Sequence, residues 1–171
     1  GVYMPRRVNP KVKYLEPDFW IADYIKNIGD KNDRGSSLKC DVTHWTMHQD
    51  EAFWEITEQI NIMANELLID RHGCVEVCEM WGGVYKRGDY AVIHMHPDPG
   101  YVQSFIWYID ACPDCAPLVF PDPERPWMPP AASITPSTGV LAFFNSTDLH
   151  YVPPHECDHE RIIISGNIQI S

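Results

Sequence analysis

Residues 74–96 read CVEVCEMWGGVYKRGDYAVIHMH, and this stretch decides the fold class. It holds two apolar runs, 74–85 and 90–96, rich in β-branched and aromatic residues and separated by a turn at 86–89. Because side chains alternate along a strand, His94 and His96 fall on one face of the second run. Two imidazoles directed at one point form a candidate metal site, since imidazole suits iron, zinc, copper and nickel.

The rest of the chain extends this strand pattern downstream and a helical pattern upstream. Short apolar runs bounded by turn residues predict strands at 102–109, 118–120, 132–135, 139–144, 151–152 and 162–170. Apolar residues that recur at three and four positions predict an amphipathic helix over 51–70, and a shorter helix is expected near 18–25. Residues 121–130, PDPERPWMPP, contain too much proline for either element and predict a stiff loop.

These elements predict a fold that is mainly β with flanking helices. The expected architecture is a double-stranded β-helix, or jelly roll, backed by an amino-terminal helical layer. A length of 171 residues suits one domain, with 1–73 as the helical support region and 74–171 as the β core.

Composition restricts the classes of partner and compartment. A hydrophobic content of 44% is that of a folded globular protein, and a net charge of −11 disfavours a nucleic-acid partner, which needs a basic surface. There is no apolar run of about 18 residues that would span a membrane. Because no secretory signal is visible, we expect a cytoplasmic protein with reduced thiols.

The chain resembles the 2-oxoglutarate/Fe(II)-dependent dioxygenases, particularly the prolyl-hydroxylase-like branch. The resemblance covers residues 80–168 and rests on the order of four motifs. Members carry a histidine six residues after a glycine, as His94 follows Gly88, and then an aromatic strand ending in a tyrosine. A strand leading to a distal histidine and a later basic residue complete the pattern. The matching stretches are YKRGDYAVIHMH (85–96), FIWYI (105–109), VLAFFNSTDLHYV (140–152) and RIIIS (161–165).

The resemblance implies Fe(II), O2 and the cosubstrate 2-oxoglutarate. His94 and His150 would be iron ligands, and Arg161 would pair with the far carboxylate of 2-oxoglutarate. Tyr108 would donate a hydroxyl to that carboxylate, and Tyr85 would line the same pocket. The residue types suit these roles, because the planar fork of arginine matches a carboxylate with two bonds. The competing interpretations are a surface ion pair of Arg161 with Glu160 or Asp158, and plain core packing of Tyr108.

The middle metal ligand departs from the family pattern. Where members carry an aspartate two residues after the first histidine, this chain has His96, so the set His94, His96 and His150 lacks a carboxylate. A second interpretation uses His96, Asp98 and His150, and a third has no metal. Pro97 is a poor strand residue, and the spacing from Gly88 favours the three-histidine set.

Three functional hypotheses follow. The first is an oxygenase that hydroxylates a C–H bond of a peptide side chain or small molecule and releases succinate and CO2. The second is a cupin-like jelly roll that binds zinc or another metal, and the third is a catalytically degenerate binding module. The proline-rich loop at 121–130 is a candidate cover for the substrate.

A second group of soft ligands lies in later loops. Cys112 and Cys115 form a Cys-x-x-Cys motif, and Cys157 is followed two residues later by His159. Together they could hold a structural zinc. Because the two loops are far apart in sequence, we favour reduced or disulfide-linked cysteines there.

Overall fold

The computed structural model describes residues 8–27, 36–68 and 73–171. Within these ranges the chain forms two antiparallel sheets, of six and five strands. The larger sheet has the order β1-β9-β6-β11-β4-β3. Its strands are β1 (Lys11–Tyr14), β3 (Asp41–Val42), β4 (Val75–Tyr85), β6 (Tyr101–Asp110), β9 (Val140–Asn145) and β11 (Arg161–Ile170).

The smaller sheet has the order β2-β5-β10-β7-β8 and faces the larger one. Its strands are β2 (Leu38–Lys39), β5 (Tyr90–His94), β7 (Leu118–Phe120), β8 (Ala132–Ile134) and β10 (His150–Val152). Consecutive strands β4 and β5, like β6 and β7, lie in different sheets, so the chain winds between the two as a double-stranded β-helix. This confirms the predicted jelly-roll class.

The central strands of the larger sheet are buried on both faces, and alternation assigns their side chains to two cores. On β6, Trp107 packs towards the helices, whereas Tyr108 packs between the sheets. On β11, Ile162 and Ile164 join the helix side, and Ile163 lies between the sheets. The same parity places Arg161, at the start of β11, on the inner side of the sandwich.

Two helices cover the outer face of the larger sheet in the described part of the chain. They are α1 (Ile21–Asn27) and α2 (Trp54–Leu68), and α2 follows a 3₁₀ turn at Glu51–Phe53. Asn61 and Asn65 on α2 accept hydrogen bonds from the backbone N–H groups of Val77 and Val75. These bonds fix the helix against β4, the strand that ends at the pocket described below.

The observed elements differ from the predicted ones mainly near the amino end. No strand was predicted upstream of residue 74, but β1 adds to the edge of the larger sheet by pairing with β9. The predicted helix 51–70 is confirmed over Trp54–Leu68; its first three positions form the 3₁₀ turn, and its last two lie outside the described residues. The predicted loop 121–130 contains neither helix nor strand. None of the helices in the described ranges has the length and apolar character needed to cross a membrane.

Candidate metal centre and anion pocket

Three histidine side chains meet at one end of the space between the sheets. His94 ends β5, His150 begins β10, and the two residues are directly paired in the antiparallel register. His96 lies in the loop after β5, where its Nε2 atom is 3.3 Å from Nε2 of His150. One ring nitrogen from each of the three lies within 4.8 Å of the others. The arrangement places three nitrogen donors around one point.

Backbone carbonyls orient two of these rings. Nδ1 of His150 donates to the carbonyl oxygen of Asp148 at 2.8 Å, and Nδ1 of His94 donates to that of Val92 at 2.6 Å. Because a carbonyl can only accept, each ring carries its proton on Nδ1 and presents a lone pair at Nε2. This is the second-shell hydrogen bonding typical of histidines that bind metals.

The three imidazoles are neutral at neutral pH. Burial lowers the pKa of His150 to about 3, and its neighbour His94 contributes to the shift. Burial likewise lowers the pKa of His96 to about 4, and that of His94 in the same direction. A neutral imidazole is the form that coordinates a metal, so protons do not compete for this site near pH 7.

Asp98 does not join the histidine group. The alternative ligand set required β5 to continue through Pro97, but the strand ends at His94 and a turn follows, in which the backbone carbonyl of Asp98 accepts from Tyr101 N–H. The Asp98 carboxylate instead lies near Glu79 of β4. Burial raises the pKa of Glu79, and the negative charge of Asp98 raises it further. The structure therefore brings together His94, His96 and His150, and no carboxylate of the described residues joins them.

Arg161 is fully buried and partly unsatisfied. Its Cζ atom lies 4.0 Å from the centroid of the Tyr85 ring, and its Nη1 donates to the carbonyl oxygen of Ala116 at 2.9 Å. Among the described residues, no hydrogen-bond partner is available to its Nε and Nη2 atoms. These two nitrogens form one edge of the guanidinium, the edge that meets a carboxylate with two parallel bonds. This edge of a buried guanidinium is therefore open among the described residues.

The competing interpretation of Arg161 as a surface ion pair is wrong. The carboxylate of Asp158 pairs with Arg87 at 2.8 Å, and that of Glu160 pairs with Lys26 at 3.4 Å. Both acids lie outside, whereas the parity of β11 directs Arg161 inwards.

Two tyrosines flank the guanidinium in different ways. Tyr85 stacks beneath Arg161, and its hydroxyl hydrogen-bonds the Cys40 thiol. Burial raises the pKa of both Tyr85 and Tyr108, so both are neutral phenols. The Tyr108 hydroxyl is buried and finds no hydrogen-bond partner in the described part of the chain. It is therefore a second available donor beside the guanidinium, whose Cζ is 5.7 Å from the Tyr108 ring.

A cavity of about 40 Å³ lies beside the histidines and reaches Tyr85. Its walls include the three histidines and Tyr85, the ring on which Arg161 stacks. The remaining lining comes from both sheets; it contains Ser104 and Ser165 but is mostly apolar, and its apolar residues include Leu38, Ala91, Ile106, Leu118, Phe144, Val152 and Ile163. Such a pocket, apolar with a few convergent polar groups, is the usual form of a small-molecule site.

One pocket residue was missed in the sequence. Trp81 lines the pocket, stacks with its ring centroid 6.4 Å from that of His96, and has a buried indole N–H with no partner among the described residues. The sequence position of Trp81 could have revealed it, because residues 81 and 85 are four apart on one strand and therefore lie on the same face as each other.

We found no match to this sequence among protein-family models or among curated proteins. Solved structures do match. The viral collagen prolyl hydroxylase of Paramecium Bursaria Chlorella virus-1, in complex with 2-oxoglutarate, aligns over 94% of this chain and 96% of its own with 18% identity and a TM-score of 0.65. A prolyl 4-hydroxylase from Pseudomonas putida aligns over 96% and 94% with 16% identity and a TM-score of 0.63.

A 2OG-Fe(II) oxygenase family oxidoreductase from Burkholderia pseudomallei aligns over 73% of this chain with 13% identity and a TM-score of 0.56. The chain spans 55% of the length of that protein. Identities this low establish a common architecture, and the alignments with the two prolyl hydroxylases run over almost the whole length. The chain has the double-stranded β-helix fold of the 2-oxoglutarate/Fe(II) oxygenases, in the form found in their prolyl-hydroxylase-like branch.

Proposed function

We propose that the protein is an Fe(II)- and 2-oxoglutarate-dependent oxygenase that hydroxylates a C–H bond and releases succinate and CO2. The observation that carries the proposal is the pairing of two features through one pocket. Three neutral imidazoles converge at one end of the pocket. Tyr85 lines the same pocket, and the guanidinium of Arg161, with its Nε and Nη2 atoms unpartnered among the described residues, stacks on the Tyr85 ring.

The donor set fits a divalent first-row metal. His94, His96 and His150 supply three borderline nitrogen donors from one side, which leaves positions for other ligands. Bound iron would supply the oxygen-activating chemistry there. The protein would hold the metal, orient its ligands through the Nδ1 bonds of two histidines, and exclude water with the apolar walls.

The inner region fits one carboxylate of 2-oxoglutarate. Arg161 would accept it on the Nε and Nη2 edge, and Tyr108 would add a hydroxyl hydrogen bond. The guanidinium is already fixed by Ala116 and by the Tyr85 ring, so little side-chain entropy would be lost on binding. This accounts for three buried polar atoms that otherwise lack partners.

The absence of a ligating carboxylate has an electrostatic consequence. A site of three neutral imidazoles and a divalent cation carries one more positive charge than a site with two imidazoles and a carboxylate. We therefore expect His96→Asp to lower the affinity for 2-oxoglutarate, because it adds a negative charge beside a dianion. It should at the same time preserve a metal site, whereas His96→Ala should weaken it.

The test is an anaerobic titration of the apo protein with Fe(II) and then with 2-oxoglutarate. A weak visible charge-transfer band that appears only after 2-oxoglutarate is added supports the proposal, as does oxygen-dependent formation of succinate. His150→Ala should abolish both signals, and Arg87→Met, which changes an exposed arginine, should abolish neither. A wild-type protein that binds Fe(II) but gives neither band nor succinate would contradict the proposal.

A second candidate is a jelly roll that uses zinc in place of iron. The observation in its favour is the same three-histidine set, because three imidazoles with an open fourth position also form catalytic zinc sites. A competition between Fe(II) and Zn(II) followed by assays for succinate separates the two. Activity with iron alone supports the oxygenase.

The substrate class is narrowed by the neighbours and by a loop. Two of the matched structures are prolyl hydroxylases by name, so we propose proline-containing peptides as the first substrates to test. Loop 121–130 exposes Trp127 and Met128, which could contact such a peptide. Replacing this loop with a short Gly-Ser linker should impair oxidation of the substrate and leave binding of Fe(II) and 2-oxoglutarate intact.

A further inference from the structure

A second cluster of metal-ligating side chains lies in two loops outside the oxygenase pocket. The loop between β6 and β7 carries Cys112 and Cys115, and the loop between β10 and β11 carries Cys157. The Sγ atom of Cys112 is 3.6 Å from that of Cys115 and 3.8 Å from that of Cys157. All three sulfur atoms lie within 4.8 Å of one another.

These separations match a tetrahedral thiolate site. With Zn–S bonds of about 2.3 Å, neighbouring sulfurs of a tetrahedron are about 3.8 Å apart. A disulfide requires about 2.05 Å between sulfurs and can join only two of the three. The separations therefore suit three thiolates around a common ion better than a disulfide, and all six cysteines of the chain are free.

Backbone N–H groups point at two of the sulfur atoms. The N–H of Cys112 donates to Sγ of Cys115 at 3.4 Å, and that of His159 donates to Sγ of Cys157 at 3.4 Å. Such bonds stabilise the charged thiolate, which is the form that binds a metal. The two loops thus provide hydrogen bonds as well as ligands.

We propose that Cys112, Cys115 and Cys157 bind a structural Zn(II) ion that ties the two loops together. The fourth position is filled by water, because the group of converging ligand atoms consists of these three sulfurs. The His159 ring, two residues beyond Cys157, instead bonds the carboxylate of Asp110 through Nε2 at 2.8 Å.

The neighbouring His155 braces the same two loops without being a ligand. It is buried, its Nδ1 accepts from the backbone N–H of Ala116 at 3.5 Å, and its Nε2 donates to the carbonyl oxygen of His159 at 2.6 Å. Both ring nitrogens are therefore occupied. Ala116 follows Cys115 directly and its carbonyl holds Arg161, so the zinc would stabilise the segment that positions the guanidinium.

The experiment measures zinc in protein whose histidine site has been disabled. A His94→Ala, His150→Ala double variant, purified with zinc and then treated with a mild chelator, should retain one zinc per chain. Adding Cys157→Ser should remove it, whereas adding Cys74→Ser, which changes an exposed cysteine outside the cluster, should not. The proposal would be overturned if the double variant contained no zinc after this treatment and its circular dichroism spectrum showed that it was still folded.

X-ray absorption at the zinc edge keeps the test independent of how these variants fold. Wild-type protein whose histidine site is loaded with Fe(II) should show three sulfur neighbours at about 2.3 Å from zinc. A first shell of nitrogen and oxygen alone would overturn the proposal. So would an intact mass lower by two protons in metal-free protein purified under nitrogen, because it would reveal a disulfide.

Discussion

Replacing Arg161 with methionine should weaken 2-oxoglutarate binding at least about 100-fold without destabilising the metal-free protein. The side chain is completely buried, yet only Nη1 of its guanidinium has a hydrogen-bond partner among the described residues. Methionine is apolar, flexible and long enough to occupy much of the same space. The substitution therefore removes a charge without leaving a large cavity.

The effect on stability is a balance of opposing terms. Burial of an ion without a paired counter-ion costs several kcal/mol. Its contact with the Tyr85 ring offsets about 2 kcal/mol of that cost, and the hydrogen bond to Ala116 offsets about 1.5–3 kcal/mol. We expect Arg161→Met to leave the free energy of unfolding of the apo protein unchanged or to raise it by about 1–2 kcal/mol.

The effect of Arg161→Met on 2-oxoglutarate binding is unfavourable and larger than its effect on the free energy of unfolding. The open edge offers two N–H groups to one carboxylate, and each charge-assisted bond is worth about 1.5–3 kcal/mol. Losing both should weaken 2-oxoglutarate binding by about 3–6 kcal/mol, or roughly 10²- to 10⁴-fold. Arg161→Lys should be intermediate, because an ammonium keeps the charge but not the fork.

Two assays measure these effects on the same variants. Urea denaturation of chelator-treated protein gives the stability, and anaerobic calorimetric titration of the Fe(II) form with 2-oxoglutarate gives the affinity. Arg87→Met is the matched control, since Arg87 is an exposed arginine paired with Asp158, and it should alter neither quantity appreciably. An Arg161→Met protein that binds 2-oxoglutarate as tightly as the wild type refutes the reasoning. Destabilisation by more than about 2 kcal/mol would refute the stability argument.

Three further predictions concern the pocket and the sheet behind it. Tyr108→Phe removes a hydroxyl that lacks a hydrogen-bond partner among the described residues. Calorimetry should show 2-oxoglutarate binding at least about 10-fold weaker, and the stability of the apo protein should not change. Equal affinity would exclude the hydroxyl as a ligand of 2-oxoglutarate. Gly166→Ala would place a Cβ 2.4 Å from a backbone oxygen of β4 and should cost about 1–3 kcal/mol in urea unfolding, whereas Gly100→Ala, which meets nothing within 4 Å, should be neutral. Because burial holds the pKa of His96 near 4 and that of His150 near 3, against 6.5 when unfolded, the unfolded apo chain binds more protons below pH 6.5. The free energy of unfolding of the apo protein should therefore decrease as the pH is lowered from 6.5 to about 4, by up to about 1.4 kcal/mol per pH unit for each histidine. A free energy of unfolding that does not change over this range would show that these rings are solvated.

Alternation along strands explains why much of the pocket could be predicted from sequence. Tyr108 and Arg161 lie on long strands whose neighbours alternate between two cores, so parity alone directs both between the sheets. The paired position of His150 and His94 could not be read in the same way, because register depends on which strands become neighbours. The resemblance to a known family supplied that information for the distal histidine.

His96 joins the other two histidines as predicted, but for a different structural reason from the one assumed. The prediction assumed a strand through residue 96, but β5 ends at His94. His96 reaches the group because its backbone N–H donates to the carbonyl oxygen of Ser146 at 2.7 Å, which fastens the loop to the segment before His150. A turn containing Pro97 thus holds the third imidazole, and nothing in local sequence encodes that bond.

The cysteine cluster shows the limit of spacing arguments. Cys112 and Cys157 are separated by 45 residues, and sequence alone gave no reason for their loops to meet. They meet because β7 and β11, which follow them, start at the same end of the sandwich, where Arg161 contacts Ala116. Convergence of the loops is therefore a consequence of jelly-roll winding.

The missing carboxylate and the unpaired arginine have a common explanation in the charge of the pocket. The chain carries a net charge of −11, yet none of the described residues that line the pocket is acidic. A divalent metal on three neutral imidazoles and the Arg161 guanidinium would together leave three positive charges facing the interior. A dicarboxylate that binds the metal at one end and the arginine at the other neutralises two of them in one step. In this chain 2-oxoglutarate would thus supply the negative charge that an aspartate ligand supplies in the oxygenases it resembles, so its binding should depend more strongly on the metal than in enzymes with that aspartate.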